Sequence, residues 1–448
     1  MNIALAKTES GRAVENIFTA ARDRLPGTGK VADIRRQAFD AFERIGLPHR
    51  RLEDWKYTDL RALMREVLPL APAPDAAALK RAEKALGSLK SVDACRLVLI
   101  DGVLAPSLSN QGALESGVRV QSLREVLEDG SNEVRADLLF IRADLLNNGE
   151  MYGPMVALNA AMATDGVIIA VAAGAALAKP LHIIHVATRS SAAIYTRSFL
   201  QVGKGARATL LESFVAADGA QSYQANDAVI VSLGDDAELQ HVRLMADSAD
   251  AVNISTAIFT VGAKARLNTF NQTSGGVLSR YQGYLTFAGE GSKVDANGVN
   301  LLNGRQHADT TLFLDHAVPN CASREIFRSV VDDRAHSVFQ GRIIVQPKAQ
   351  KTDAKMMTRA LLLSDEAEAD NKPELEIFAD DVTCGHGATT GALDQSLLFY
   401  LRARGLSEKE AQALLIQAFV GEAIESIASD ALRELAILTA QRWLAARG

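Results

Sequence analysis

Five steps of a small or apolar residue followed by glycine punctuate the middle of the chain: Ala173-Gly174, Val202-Gly203, Leu233-Gly234, Val261-Gly262 and Ala288-Gly289. Successive glycines lie 29, 31, 28 and 27 residues apart. A fixed period in that range is the mark of a solenoid, a propeller or a repeat array. After the last four glycines one local pattern returns, small then charged then apolar: Ala206-Arg207-Ala208, Ala237-Glu238-Leu239, Ala265-Arg266-Leu267 and Ser292-Lys293-Val294. Small residues behind a glycine turn are what a chain needs if it must bend and then stack on its previous coil.

What stands between the glycines selects among these architectures. Val242 and Leu244, Val252 and Ile254, Leu285 and Phe287, and Ile343 and Val345 alternate with other residues, the period of a strand with one buried face. Helical spacing of helix length is missing there, which disfavours leucine-rich and ankyrin repeats, and propeller blades run to about 40 residues or more. A β-solenoid over residues 161–382 fits, with room for about seven or eight coils and a need for a cap at each end.

The flanks read differently. In residues 1–160, Val31, Ile34, Phe39, Ala41, Phe42 and Ile45 recur at helical steps, and Gly46-Leu47-Pro48 ends that helix. Trp55 and Tyr57, set among charges, anchor the N-terminal core or serve binding. Leu70-Ala71-Pro72-Ala73-Pro74 has the composition of a hinge, and Met155 to Ala163 is placed as a cap on the first coil. In residues 383–448, Ser407-Glu408-Lys409-Glu410 is a capping box opening a helix. Ile416, Phe419, Val420, Ala423, Ile424 and Ile427 give that helix one apolar stripe. A last helix shows Leu432, Leu435, Ala436 and Trp443. Two such stripes exceed what one helix pair buries, so they are expected to cover the solenoid end, a partner, or both.

Composition excludes some classes. A net charge of −6 without long charged runs offers no general attraction to nucleic acid or to an anionic membrane. No uncharged apolar run reaches the roughly 18 residues of a membrane span. Met1 to Lys7 lacks a basic region followed by an apolar core, so no signal peptide is expected. Three widely spaced cysteines, Cys95, Cys321 and Cys384, suit reduced thiols in a cytoplasm.

Nucleotide and hydrolase motifs are absent: there is no GxxxxGK[ST], Gly289-Glu290-Gly291 does not complete GxGxxG, and no GxSxG is present. His182 and His185 are three apart, hence on opposite faces of a strand, and read as structural. Cys384-Gly385-His386-Gly387 is different. Residues two apart in an extended chain share a face, so thiol and imidazole can reach one ion. Two ligands alone hold a transition metal weakly, so any cluster chemistry there needs ligands from a partner. The plain alternative is a buried thiol beside a capping histidine.

Several linked stretches then give a resemblance. Pro319-Asn320-Cys321-Ala322-Ser323-Arg324-Glu325, Ser337-Val338-Phe339-Gln340-Gly341, Gln350-Lys351-Thr352-Asp353-Ala354, Pro373-Glu374-Leu375-Glu376-Ile377 and Phe399-Tyr400-Leu401-Arg402-Ala403-Arg404-Gly405 resemble the SufB/SufD family of iron-sulfur cluster assembly proteins. Cys384 to Thr389 and Trp55 to Leu60 are similar to its SufD branch. The resemblance implies a right-handed parallel β-helix between N- and C-terminal helical regions. It also implies a non-catalytic scaffold role beside SufB and the ATPase SufC, with SufB at the solenoid end and SufC on about residues 394–427. A nascent iron-sulfur cluster, shared with SufB, would take His386 as ligand, with Cys384 the weaker candidate. Cys321, His307 and His336 are expected to be structural. Whether a flavin binds, and whether the isolated chain forms a homodimer, the resemblance leaves open. A secreted β-solenoid enzyme acting on acidic polysaccharide and a homodimeric interaction protein are the competing classes. The missing signal peptide and the helical C-terminus weigh against the first.

Overall fold

The computed structural model describes residues 9–64, 67–129 and 153–447. Its centre is a parallel β-solenoid of about 8 turns. Each coil gives one strand to a ten-stranded sheet and one to a nine-stranded sheet. From Val167 onward consecutive strands therefore belong to opposite walls, and hydrogen-bonded neighbours there are a full coil apart in sequence. Leu278–Phe287, for example, pairs in parallel with Val252–Val261 on one side and His307–His316 on the other.

The glycine period has a steric cause. A Cβ on Gly203, Gly234, Gly262 or Gly289 would stand 2.5, 2.7, 2.7 or 1.9 Å from main-chain atoms of the coil before it. No side chain fits where one turn rests on another. Gly174, the first of the series, has open space instead, and its φ of +72° is what calls for glycine. The residues behind the turns form a buried column. Ala206, Ala237, Ala265, Ser292, Cys321 and Thr352 follow one another coil by coil, linked because an N–H of the next coil's strand donates to each of their carbonyls, as Glu238 does to Ala206 and Thr383 to Thr352.

Inward-facing residues of both sheets, from Leu97 through Phe259 and Phe287 to Val345, make one apolar core along the rod. Some polar side chains inside it are paired: His241 Nε2 lies 2.8 Å from Glu212 Oε2, and Arg243 donates to Asn271 at 2.9 Å. Nine helices flank the rod among the described residues: α1 (Glu9–Ala21), α2 (Lys30–Ile45), α3 (Leu60–Leu63), α4 (Ala76–Leu86), α5 (Leu123–Glu128), α6 (Pro154–Met162), α7 (Gln395–Ala403), α8 (Glu408–Ile424) and α9 (Asp430–Ala446).

The outer faces of the two sheets explain most of those helices. On the nine-stranded sheet, Ala193, Tyr195, Ile254 and Leu278 pack with Phe39, Phe42, Trp55 and residues of α6. Trp55, at the end of a short 3-10 turn, is thus an anchor on the solenoid wall and not only part of an N-terminal core. Helix α6 lies on this wall too, its Asn159 side chain donating to the carbonyls of Thr196 and Asn226, so it covers a flank and does not cap the first coil. That end is closed by antiparallel strands, Val118–Ser122 on one sheet and Val103–Leu104 on the other. The stretch expected as a hinge is also pinned, since Ala71 donates to the Ala193 carbonyl and Arg24 donates to the carbonyl of Leu70.

The C-terminal stripes find their partner inside the molecule. Ile416, Val420, Ala423 and Ile424 of α8, with Leu432, Ala436 and Trp443 of α9, bury against Leu211, Val242, Phe270, Val299, Leu301 and Val330 of the ten-stranded sheet. Full burial of one such aliphatic side chain stabilises by ~1.5–3 kcal/mol. The stripe therefore covers the side of the solenoid, and the expectation that it caps an end or meets a partner is corrected. Those outward sheet residues alternate with inward ones, so the strands are apolar on both faces and demand a cover. What stays exposed on these helices is a smaller apolar set, Leu397, Phe399 and Tyr400 on α7, Leu414 on α8, and Ile437 and Leu438 on α9. The capping box forms as read, with Ser407 and Glu410 bonding reciprocally.

Candidate functional site

The last strand of the ten-stranded sheet is Thr383–Gly391, so the solenoid continues beyond residue 382 and carries the cysteine and histidine on its terminal coil. They do not lie in the passage to the helices. The strand pairs only with Asp353–Leu362, Cys384 beside Ala354 and His386 beside Met356. Ala354 and Met356 belong to the inward row of the core. Cys384 and His386 therefore extend that row by one coil, to a place where no further coil of the described residues lies on top.

This position sets their environments. Cys384 is half-buried against the core and His386 is exposed. Burial pushes the Cys384 thiol above its ordinary range, and the carboxylates of Asp353 and Glu325 push the same way, against a hydrogen bond from the Ala354 main chain. The thiol is thus held in its protonated form near neutrality, a poor nucleophile until a cation displaces the proton. No hydrogen bond or ion pair from the described residues holds the His386 imidazole. A Cβ on Gly387 would stand 2.7 Å from the flexible end of Met357, which would have to move aside, whereas Gly385 has open space.

Cys384 and His386 line one groove of 760 Å³ together with Glu325, Met356, Arg324 and Lys355. Arg324 Nη2 is 2.5 Å from Asp353 Oδ2, so its charge is largely taken up locally. Among the described residues no three His, Cys, Asp or Glu side chains are grouped to hold a metal ion. The end coil offers at most part of a ligand set, and a complete one needs donors from outside.

Glu325 is the member of this groove that spacing alone did not flag. It lies 1% exposed on the inward face of Ala322–Val331, and neither carboxylate oxygen makes a hydrogen bond. Burial pushes its pKa up to about 8, outweighing the opposite influence of the neighbouring Ser323 hydroxyl and Arg324. The signal was available, since Ser323, Glu325, Phe327 and Ser329 alternate as inward positions and only one of them is ionisable.

The other histidines and thiols lie elsewhere. His182 Nε2 bonds Ser213 Oγ at 2.9 Å, and His185 stacks on Phe214 with ring centres 4.3 Å apart. His307 Nε2 bonds Thr58 Oγ1 at 2.9 Å and packs edge-on against His336, whose Nε2 lies 2.7 Å from Asp370. Cys321 is buried in the corner column, 3.4 Å from Ser292 Oγ.

The rod of two parallel sheets, an open last coil carrying Cys384 and His386, and the helical flanks can be set beside known proteins. Residues 185–419 match the family profile described as SUF system FeS cluster assembly, SufBD core domain, and residues 16–183 match the SufBD protein N-terminal region. An iron-sulfur cluster assembly SufBD family protein of Synechocystis sp. is 33% identical over 404 residues, 88% of this chain and 86% of the relative. The iron-sulfur cluster assembly protein SufD of Escherichia coli is 30% identical over 395 residues, 87% of this chain and 88% of its own. A chloroplastic protein of Arabidopsis thaliana, ABCI7, is 26% identical over 403 residues, covering 87% and 81%. With both regions matched in order and relatives covered over most of their length, this chain belongs to the SufBD family of iron-sulfur cluster assembly proteins.

Proposed function

We propose that this chain is a SufD-type, non-catalytic scaffold subunit that assembles iron-sulfur clusters together with a SufB chain and the ATPase SufC. Its cargo is a nascent cluster, bound between His386 of this chain and donors of SufB, with Cys384 as a secondary ligand. The observation that carries this reading is the open end coil. Its two strands, Glu368–Ile377 and Thr383–Gly391, each have a sheet partner on one side only, and the exposed imidazole stands on the row that a following coil would cover. Unpaired strand edges are ready templates for another sheet, so a β-solenoid partner docking end-on would bring its own ligands against His386. ATP hydrolysis is assigned to SufC, seated on the exposed apolar residues of α7 and early α8.

The test is His386→Ala in a chain co-expressed with SufB and SufC. Cluster content after anaerobic reconstitution falls, while the variant folds and co-purifies with both partners. A cluster yield equal to that of the unaltered complex overturns the ligand role. The same open end could meet a second copy of this chain. Light scattering separates the two readings, because a homodimer that persists in the presence of SufB would favour self-pairing.

A further inference from the structure

The inward row that ends at His386 carries a buried charge farther in. Ala296, Glu325, Met356 and His386 are register partners on successive strands of one sheet. Strands in a sheet lie about 4.8 Å apart, so the Glu325 backbone sits about 10 Å below that of His386 along the rod. Its neighbours in the row are the methyl of Ala296 and the thioether of Met356, neither of which can satisfy a carboxyl group. A carboxyl so buried, eased only in part by the neighbouring Ser323 hydroxyl and Arg324, lowers stability, and glutamine or methionine would fill the same volume at smaller cost. Groups that break a packing rule without local compensation concentrate at functional sites. This one also lines the groove occupied by Cys384 and His386.

We infer that Glu325 is a cation-binding carboxylate of the assembly site, which takes up a divalent metal ion that enters the groove past Cys384 and His386. This rests on reading the end coil as the cluster site. Cys384 and His386 supply sulfur and nitrogen. Glu325 adds a hard anionic oxygen, a donor that suits ferrous iron more closely than a soft monovalent ion. The donors are not grouped tightly enough to grip one ion together, so Glu325 holds a second, deeper position inboard of Met356. That unbranched thioether is flexible enough to give way.

Cobalt(II), whose visible absorption reports its ligands, is the probe. It is titrated anaerobically into the full chain, alone and in the complex with SufB and SufC, for the unaltered protein and for E325Q, E325D and H386A. E325Q is expected to bind cobalt at least tenfold more weakly while melting at the same or a higher temperature, and E325D to recover part of the affinity. Cobalt affinity in E325Q within twofold of the unaltered chain, with H386A weakened, overturns the role of Glu325 and leaves the end-coil reading standing. Unchanged affinity in both variants, or no cobalt binding by the unaltered chain in either form, overturns both. Loss of the fold in E325Q and E325D alike makes the carboxyl a structural group and also overturns the inference.

Discussion

Arg280 holds its guanidinium 3.8 Å above the Trp55 ring while pairing with Asp309, its register neighbour on the next coil. Arg280 and Asp309 have fully buried side chains, and Asp309 also accepts a hydrogen bond from Thr58. The N-terminal segment is thus fastened to the nine-stranded wall through one cation shared by an aromatic face and a carboxylate. Replacing Arg280 by methionine leaves Asp309 charged and buried without its partner, a loss of ~3–5 kcal/mol. Denaturant midpoints of the full chain check this. A loss below about 1 kcal/mol would mean that Thr58 and neighbouring groups suffice to hold the carboxylate.

Gly289→Ala and Gly174→Ala separate two reasons for glycine. At Gly289 the added methyl meets the Ala263 nitrogen at 1.9 Å, and rigid main chain cannot yield, so destabilisation of ~3 kcal/mol or more follows. At Gly174 nothing lies within 4 Å and only the left-handed φ is at issue, which costs about 1 kcal/mol. Equal melting temperatures for the two variants would contradict the stacking account.

Phe399 is 74% exposed on α7. Phe399→Glu should leave stability within about 0.5 kcal/mol, since no core contact is lost, and should strip SufC from the co-purified complex while SufB remains. Retention of SufC in normal ratio would move its docking surface elsewhere.

Stability should fall as the solution is acidified below about pH 6.5. Burial lowers the His182 pKa from 6.5 to about 3 and those of His185 and His307 to about 4. In the unfolded chain these imidazoles take up protons near pH 6.5, whereas the folded chain refuses them until about pH 4. Their contribution is therefore complete above 6.5 and lost progressively between there and about 4, or about 3 for His182, on the order of 3–5 kcal/mol per group at most. His185→Phe, which preserves an aromatic ring against Phe214, should make the decline shallower. Denaturant midpoints at pH 7.5, 6 and 5 give the slopes.

The period of the rod could be read because stacking forbids a Cβ at Gly203, Gly234, Gly262 and Gly289, and that prohibition leaves a regular trace in the chain. Cys384 and His386 could be placed on one face because strand geometry fixes residues two apart. Neither rule says what covers an outward face. The apolar stripes of α8 and α9 thus point from sequence to an end or a partner, although Leu239 and Leu267 on the inner face and Val242, Leu244 and Phe270 on the outer one make both sides of the ten-stranded sheet apolar. Glu325 shows in the sequence as the one ionisable residue of an alternating inward row, but its apolar surroundings, Ala296 and Met356, lie about one coil away and become adjacent only after the coils stack. Met155 to Ala163, placed as a cap from its position before the first coil, instead lies on the wall, where the Asn159 side chain fastens α6.

The corner column gains volume along the rod, from alanine at 206, 237 and 265 through Ser292 and Cys321 to Thr352. The coils are accordingly not interchangeable parts. A coil grafted from near the start into the place beside the open end would bring an alanine where threonine belongs and leave a void at the corner, and the reverse exchange would wedge the turn apart. Order among the repeats is written in their corners, so duplication or deletion of a whole coil, neutral to the hydrogen-bond ladder, would still be sensed by the packing.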